Sequence, residues 1–295
     1  MQPLAAWLVA RPQNAIFGLA ATLLLPILQI FSGIFMVLLV LRQGVKLAVI
    51  EGAIAAAILA VVSLLTGSPL VQVATAAGMT WLPAILLAAG LSATRSLTLT
   101  MQVLALIAVA VVLGFHVFVG DLEAFWGPVM ELTLEWARTN GLHEQAGVIA
   151  ANPSQMAHAL TIAFVWYGWT LYAIYLLFGY RYAFATAEES GKFGRFCDLN
   201  FGRVIALILA LVSILGFATG MAWLQSIAVV LFAVFWLQGL AVVHWLFVDG
   251  ELPLFVVILT YLLLPFLHVF MVMALAVVGY TDAWFRYRRR AVAKE

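Results

Sequence analysis

Long apolar runs, separated by short polar segments, make up most of the chain. The first covers residues 15–41 and is interrupted by Pro26 and by the pair Ser32–Gly33. Later runs cover residues 45–65, 70–91, 97–119 and 157–180. About 20 apolar residues in a helix cross the hydrocarbon core of a bilayer. The pattern therefore predicts an all-α polytopic transmembrane helix bundle, whose first run is one tilted helix or a helix followed by a short return segment.

The distribution of lysine and arginine predicts how the bundle is oriented, since these residues mark cytoplasmic loops. The basic segments are residues 42–46, 95, 181–203 and 286–294. Three apolar stretches lie within residues 204–280, and three full crossings there would leave the basic tail outside. One stretch is therefore expected to be re-entrant, and residues 204–218 form the shortest. We expect about eight crossings, with one or two broken or re-entrant segments and both ends in the cytoplasm.

Two hydrophilic segments interrupt this single predicted membrane domain of residues 1–295. Residues 121–155 carry one base and five acids, Asp121, Glu123, Glu131, Glu135 and Glu144. Apolar residues recur there at roughly helical spacing, which predicts an amphipathic helix on the outer membrane surface, followed by a looser segment through Asn152–Pro153. Residues 181–203 form the predicted cytoplasmic loop.

Composition supports a membrane protein and excludes several functional classes. Hydrophobic residues make up 66% of the chain and charged residues 9%, whereas a soluble domain has about 25% charged residues. A net charge of +1 excludes a broad basic face for nucleic acid. The single cysteine, Cys197, excludes an internal disulfide and a CxxC metal site. No catalytic motif is recognisable, so we expect no enzyme and no cofactor, and the N-terminus lacks the pattern of a removable signal peptide.

Glu51 is the first candidate ligand-binding residue. It lies five residues after Lys46, about 7.5 Å deeper along a helix, and small residues follow it. One interpretation is a carboxylate for coupling or substrate binding in a packed helix interface. The other is an acid close to the membrane surface that pairs with Lys46 or Arg42.

An aromatic face on the fifth run is the second candidate. Trp166, Trp169 and Tyr172 are spaced three apart in the middle of the span, so they are expected to share one helix face. Such a face is either a stacking wall for a flat or cationic ligand or a part of the packed core.

The last third of the chain holds polar residues to which we assign structural roles. Gln238 needs hydrogen-bond partners within a span, and Gly239 allows close backbone contact, which together predict a clamp between helices. His244 and His268 differ in predicted depth by more than about 10 Å, so we expect no metal pair, and each histidine is expected to bond to a neighbour. No metal site is predicted.

Asp282 ends the last span and is predicted to pair with Arg286, because residues four apart lie on one helix face. Arg288, Arg289 and Arg290 are then expected to meet anionic lipid headgroups. The alternative is that Asp282 and these arginines form a docking site for a cytoplasmic partner.

These residues also carry a resemblance to a known family. The segments LQGLAVVH and GYTDAWFRYRRR resemble the YybS-like family of bacterial membrane proteins, with Gln238, Gly239, Gly279, Asp282, Trp284, Phe285 and Arg288 as the matching positions. Tyr280 departs from the leucine or isoleucine usual there. The segments at residues 41–48 and 193–207 also resemble loops of that family. The resemblance implies a multi-pass protein of the bacterial cytoplasmic membrane and assigns no activity.

The N-terminal half is similar to the substrate-binding subunits of energy-coupling-factor transporters, which have a short second span and a glycine-basic cytoplasmic turn. Arg42-Gln43-Gly44 matches that turn. The resemblance implies a solute-binding or transport subunit with a small-molecule solute. The alternative is a non-transporting interaction or assembly protein that docks a membrane or cytoplasmic protein partner through its loop and tail. The lipid bilayer is the expected surrounding in both cases.

Overall fold

The computed structural model describes residues 2–184 and 191–288, and these residues are folded into helices without any β-strand. The chain forms two compact units from discontinuous parts. The first comprises Met1–Leu104 and Thr170–Leu199, and the second comprises Ala105–Trp169 and Asn200–Glu295. The predicted all-α polytopic bundle is confirmed. The single membrane domain stays a prediction.

The first unit contains the N-terminal helices. They are α1 (Gln2–Ala10), α2 (Pro12–Leu24), α3 (Gln29–Gln43), α4 (Val45–Thr66) and α5 (Leu70–Thr94). The first apolar run breaks between α2 and α3, where Pro26–Leu28 form a 3-10 turn. A proline provides no backbone N–H to continue the helix, which explains the break. Ser32 and Gly33 do not interrupt α3.

The other helices lie wholly or partly in the second unit. They are α6 (Leu97–Gly114), α7 (Leu122–Thr139), α8 (His143–Ala151), α9 (Pro153–Ala183), α10 (Gly202–Thr219), α11 (Ala222–Val248), α12 (Leu254–Phe266) and α13 (His268–Phe285). A π-helical turn, Phe115–Val119, extends α6. Helices α6 and α9 contribute residues to both units.

Seven helices among the described residues are long and apolar enough to cross a membrane. They are Val45–Thr66, Leu70–Thr94, Leu97–Val119, Pro153–Ala183, Gly202–Thr219, Ala222–Val248 and His268–Phe285. Gln29–Gln43 and Leu254–Phe266 are shorter apolar helices. The chain is therefore a multi-pass membrane protein, as its apolar pattern predicts.

The structure places one irregularity elsewhere than the sequence predicts. The stretch at 204–218 belongs to α10, an unbroken helix of 18 residues that is long enough to cross. The break lies instead at Leu267, between α12 and α13. Pro265 stands two residues before it and hinders helix continuation, because its ring removes a donor and crowds the preceding turn.

The acidic segment is more helical than predicted. Helix α7 begins at the N-cap Asp121, whose carboxylate accepts a 3.0 Å hydrogen bond from the Ala124 N–H. Its inner face packs Trp126 into a cluster with Phe115 and Ala157. The expected looser segment is wrong for residues 143–151, which form α8. The outer apolar stripe of α7 is exposed and consists of Phe125, Val129, Leu132 and Trp136.

Candidate functional site

The candidate site in the first unit lies next to the break between α2 and α3. Gln29 is the first residue of α3 after the break, and its Nε2 donates a 2.9 Å hydrogen bond to Thr80 Oγ1 on α5. Helix breaks at membrane depth are tolerated where protein surrounds them or where they line a cavity. The Gln29–Thr80 hydrogen bond therefore satisfies two polar side chains within the helix bundle.

A second pair lies one turn further along α3. The Trp81 Nε1–H donates to Ser32 Oγ at 2.8 Å, and the Ser32 hydroxyl donates in turn to the Leu19 carbonyl at 3.2 Å. Both side chains are buried. This relay links α2, α3 and α5, and it satisfies each of these polar groups within the membrane.

Helix α9 supplies an aromatic wall to the same unit. The Tyr172 hydroxyl donates to the Met79 carbonyl at 3.0 Å, and the Tyr172 and Tyr175 rings pack edge to face with centroids 5.8 Å apart. Tyr175 is fully buried against Gly33, where an added Cβ would meet the ring atom Cδ2 at 2.5 Å. Glycine at position 33 is therefore required for α3 to approach this ring. We call Gln29, Ser32, Thr80, Trp81, Tyr172 and Tyr175 the central cluster.

The residues of the central cluster lie several turns from the basic or C-terminal ends of their helices. Ser32 precedes the basic Arg42 by ten residues, or about 15 Å of helix, and Trp81 precedes Arg95 by fourteen, or about 21 Å. Tyr172 precedes the end of α9 at Ala183 by eleven residues, or about 16 Å. The hydrocarbon core is about 30 Å thick, so Ser32, Trp81 and Tyr172 would lie within it when these helix ends are at its surface.

Glu51 is buried, with 1% of its surface exposed. With the Gln43 amide turned so that its nitrogen faces the carboxylate, Nε2 donates to Oε1 at 3.1 Å and to Oε2 at 3.2 Å. Within the described residues it forms no ion pair with Lys46 or Arg42, so that pairing is not observed. The neighbouring Gly52 lies against Met36 and Trp81. A ligand-binding role for Glu51 stays a prediction.

The tryptophans of the predicted aromatic face have separate partners in the second unit. Trp166 packs on His268 with ring centroids 5.4 Å apart, and Trp169 packs on Phe201 at 6.3 Å. Each indole Nε1–H is buried and has no hydrogen-bond partner within the described part of the chain. Their predicted stacking role with Tyr172 stays a prediction, and the structure gives each tryptophan a packing contact.

A buried polar network holds three segments of the second unit. Gln238 Oε1 accepts a 2.7 Å hydrogen bond from the Phe201 N–H, and its Nε2 donates to Asp282 Oδ2 at 2.8 Å. Arg288 Nη2 donates to the same oxygen at 2.7 Å. We call Gln238, Asp282 and Arg288 the polar lock. Gly239 lies beside it, where α11 and α13 come into backbone contact.

The predicted pairing of Asp282 with Arg286 is wrong. Helix α13 ends at Phe285, and Arg286 takes a left-handed conformation with φ +52°. The chain therefore turns, and Arg288 rather than Arg286 reaches the carboxylate. Arg288 meets Asp282 instead of lipid headgroups, while Arg289 and Arg290 lie outside the described residues.

His244 bonds to neighbouring groups. Its Nδ1 lies 2.9 Å from the Leu240 carbonyl, and its Nε2 lies 3.2 Å from the Tyr261 hydroxyl. Within the described residues no three His, Cys, Asp or Glu side chains are grouped to hold a metal ion.

Four members of the central cluster are not predicted from the sequence: Gln29, Ser32, Thr80 and Trp81. The available signal was the polar pair Gln29 and Ser32 just after Pro26 in an otherwise apolar run. Their partners on α5 are 49 to 51 positions away, so spacing alone does not reveal them. Comparison of the chain with protein-family models, curated proteins and solved structures finds no match.

Proposed function

We propose that the protein is a solute-binding or transport subunit of the bacterial cytoplasmic membrane, with the central cluster as its binding site. One observation carries the proposal: after the break in the first apolar run, Gln29 bonds to Thr80 and Ser32 bonds to Trp81. Broken helices near the bilayer midplane form the substrate sites of many transporters. The resemblance of the N-terminal half to energy-coupling-factor subunits supports the same class of function.

The side chains of the central cluster favour a small neutral solute. No member of the cluster carries a formal charge, and a solute would take over hydrogen bonds that its amide, hydroxyls and indole N–H now make within the protein. Such a site binds a molecule with hydrogen-bonding groups at its edge and a flat apolar face. A charged solute would lack a countercharge there and would be strongly disfavoured by burial.

A solute extracted from the purified protein tests this proposal. Mass spectrometry of the denatured wild-type protein is expected to detect one retained small molecule. Ser32→Ala and Trp81→Phe are expected to retain about threefold to tenfold less, since one hydrogen bond contributes about 0.5–1.5 kcal/mol. Thr75→Ala is the matched control, because Thr75 is exposed on α5 and bonds only its own helix backbone.

Equal retention by Ser32→Ala, Trp81→Phe and Thr75→Ala would contradict binding in the central cluster. The absence of any retained molecule, together with a stoichiometric protein partner, would favour the interaction or assembly function.

One observation favours that second function. The segment 193–199 is fixed in the first unit by hydrogen bonds from the Leu97 N–H to the Phe193 carbonyl and from the Tyr180 hydroxyl to the Gly194 carbonyl. Arg195 pairs with Asp198 at 2.8 Å, and this hydrogen bond raises the pKa of the guanidinium. The segment thus presents a fixed backbone and an exposed ion pair to a partner.

The proposed orientation predicts which segments an impermeant thiol reagent reaches in intact cells. In a Cys197→Ser background, Glu144→Cys is expected to be labelled in intact cells, because the acidic segment is outside. Gly191→Cys is expected to react only after permeabilisation, because basic loops stay in the cytoplasm. Both positions are exposed, so accessibility within the protein does not decide the result. The reverse pattern would invert the proposed topology and place the tail outside.

A further inference from the structure

Two histidines from distant parts of the chain meet in the second unit. His116 lies in the π-helical turn that extends α6, and His158 lies in the second turn of α9. Their ring centroids are 5.5 Å apart, and the ring planes differ by 17°. π-Helical turns are rare and occur frequently at functional sites.

The hydrogen bond of His116 fixes its tautomer. His116 Nδ1 lies 2.9 Å from the Val112 carbonyl oxygen, which accepts hydrogen bonds and cannot donate one. Nδ1 therefore carries the proton, and Nε2 of the neutral ring presents a lone pair. This arrangement, with one ring N–H on a backbone carbonyl, is the usual support of a metal-binding histidine.

One nitrogen of each ring is buried and available. His116 Nε2 and His158 Nδ1 have no hydrogen-bond partner within the described residues, and they do not bond to each other. His158 Nδ1 is thus the second candidate ligand, on a ring whose centroid lies 5.5 Å from that of His116. Neither nitrogen is used by the central cluster or by the polar lock.

We propose that His116 Nε2 and His158 Nδ1 bind a divalent transition-metal ion of the zinc class. A zinc ion lies about 2.0–2.1 Å from each histidine nitrogen. Two imidazoles on one tetrahedral ion then have centroids about 5 Å apart, close to the 5.5 Å separation observed. Imidazole suits zinc, copper and nickel better than calcium or magnesium, which prefer oxygen.

Neighbouring residues support the pair from two sides. Phe115, which precedes His116, stacks on Trp126 of α7 with centroids 6.1 Å apart. Ala157, which precedes His158, is buried in the same cluster. Solvent would supply the remaining ligands, because no third histidine, cysteine or carboxylate within the described residues joins the pair.

Calorimetric titration of the full-length, tag-free protein in detergent with Zn²⁺ tests the proposal. The wild type is expected to bind one equivalent saturably, and His116→Ala and His158→Ala are each expected to weaken binding by at least tenfold. His143→Ala is the matched control and is expected to bind as the wild type does, because His143 is exposed at the start of α8. Co²⁺ is the second probe, since its visible absorption reports nitrogen ligands directly in the wild type.

Two results would overturn the proposal. One is the lack of saturable Zn²⁺ binding and of a nitrogen-ligand Co²⁺ spectrum in the wild type, which requires no variant to fold. The other is unchanged binding in His158→Ala that retains the wild-type elution profile, since the ion would then be held elsewhere.

Discussion

Replacing Gly239 by alanine is expected to lower the free energy of unfolding by about 1–3 kcal/mol or more, since overpacking of a dense interior has this magnitude. An added Cβ would meet the carbonyl carbon of Leu275 at 2.6 Å and its Cα at 2.9 Å. These are backbone atoms, so no side chain can rotate away to make room. Helices α11 and α13 would have to separate, and the adjacent Gln238–Asp282 hydrogen bond of 2.8 Å would lengthen.

Gly279 provides the reciprocal test on the partner helix. A Cβ there would meet the Gly239 nitrogen at 2.7 Å and Gln238 Cβ at 3.1 Å. Gly279→Ala is therefore expected to destabilise the protein as Gly239→Ala does. Because both substitutions separate the same two helices, the double variant is expected to lose less than the two single losses combined.

Thermal unfolding in detergent, followed by tryptophan fluorescence, measures these losses. Gly90→Ala and Gly168→Ala are the controls, because both glycines are helical and a Cβ on either meets no atom within 4 Å. Alanine is favoured over glycine in a helix by about 1 kcal/mol, so the controls are expected to be neutral or slightly stabilising. A loss in the controls equal to that in Gly239→Ala would refute the close-packing explanation.

Replacing Asp282 by alanine is expected to destabilise the second unit by about 3 kcal/mol. Breaking a buried ion pair by removal of one partner costs about 3–5 kcal/mol, because the remaining charge is left uncompensated. The value is at the lower end because the Arg288 side chain keeps 11% exposure, whereas Asp282 keeps 1%. Its long side chain can then move its charge toward the membrane surface. Asp282→Asn preserves the volume and is expected to lose most of the same stability.

Variants of Arg286 and Arg288 distinguish the observed Asp282–Arg288 ion pair from the Asp282–Arg286 pair that helical spacing predicts. Arg288→Gln is expected to lower the melting temperature, because it leaves the Asp282 carboxylate buried without its cation. Arg286→Gln is expected to change stability by less than about 0.5 kcal/mol, as is usual for exposed positions. Thermal unfolding of the two variants measures both effects. A larger loss of stability in Arg286→Gln than in Arg288→Gln would contradict the observed ion pair.

The polar lock and the central cluster are expected to give different phenotypes. The lock residues bond to one another across three segments of the second unit, so their loss is expected to reduce stability. The cluster residues surround a helix break in the first unit, so Ser32→Ala is expected to reduce solute retention with a smaller change in stability. Measurement of both quantities on the same variants separates structural from binding roles.

The amino-acid sequence determined the membrane class and most of the spans. A bilayer requires about 20 apolar residues for each crossing helix, so the runs at 45–65, 70–91 and 97–119 identify helices without tertiary information. The sequence also indicated the clamp at Gln238 and Gly239, because a buried amide needs a partner and glycine permits close approach. These are consequences of local composition and of the solvent around the chain.

Only the tertiary structure decided which polar groups meet. Asp282 pairs with Arg288 because the left-handed residue Arg286 turns the chain, and helical spacing alone favoured the wrong arginine. Trp81 meets Ser32 across 49 positions, and His116 meets His158 through a π-helical turn that widens the end of α6. In an apolar chain, hydropathy specifies which residues are in the membrane but not the rotation of each helix. That rotation is set by close packing, and it brings the polar residues together.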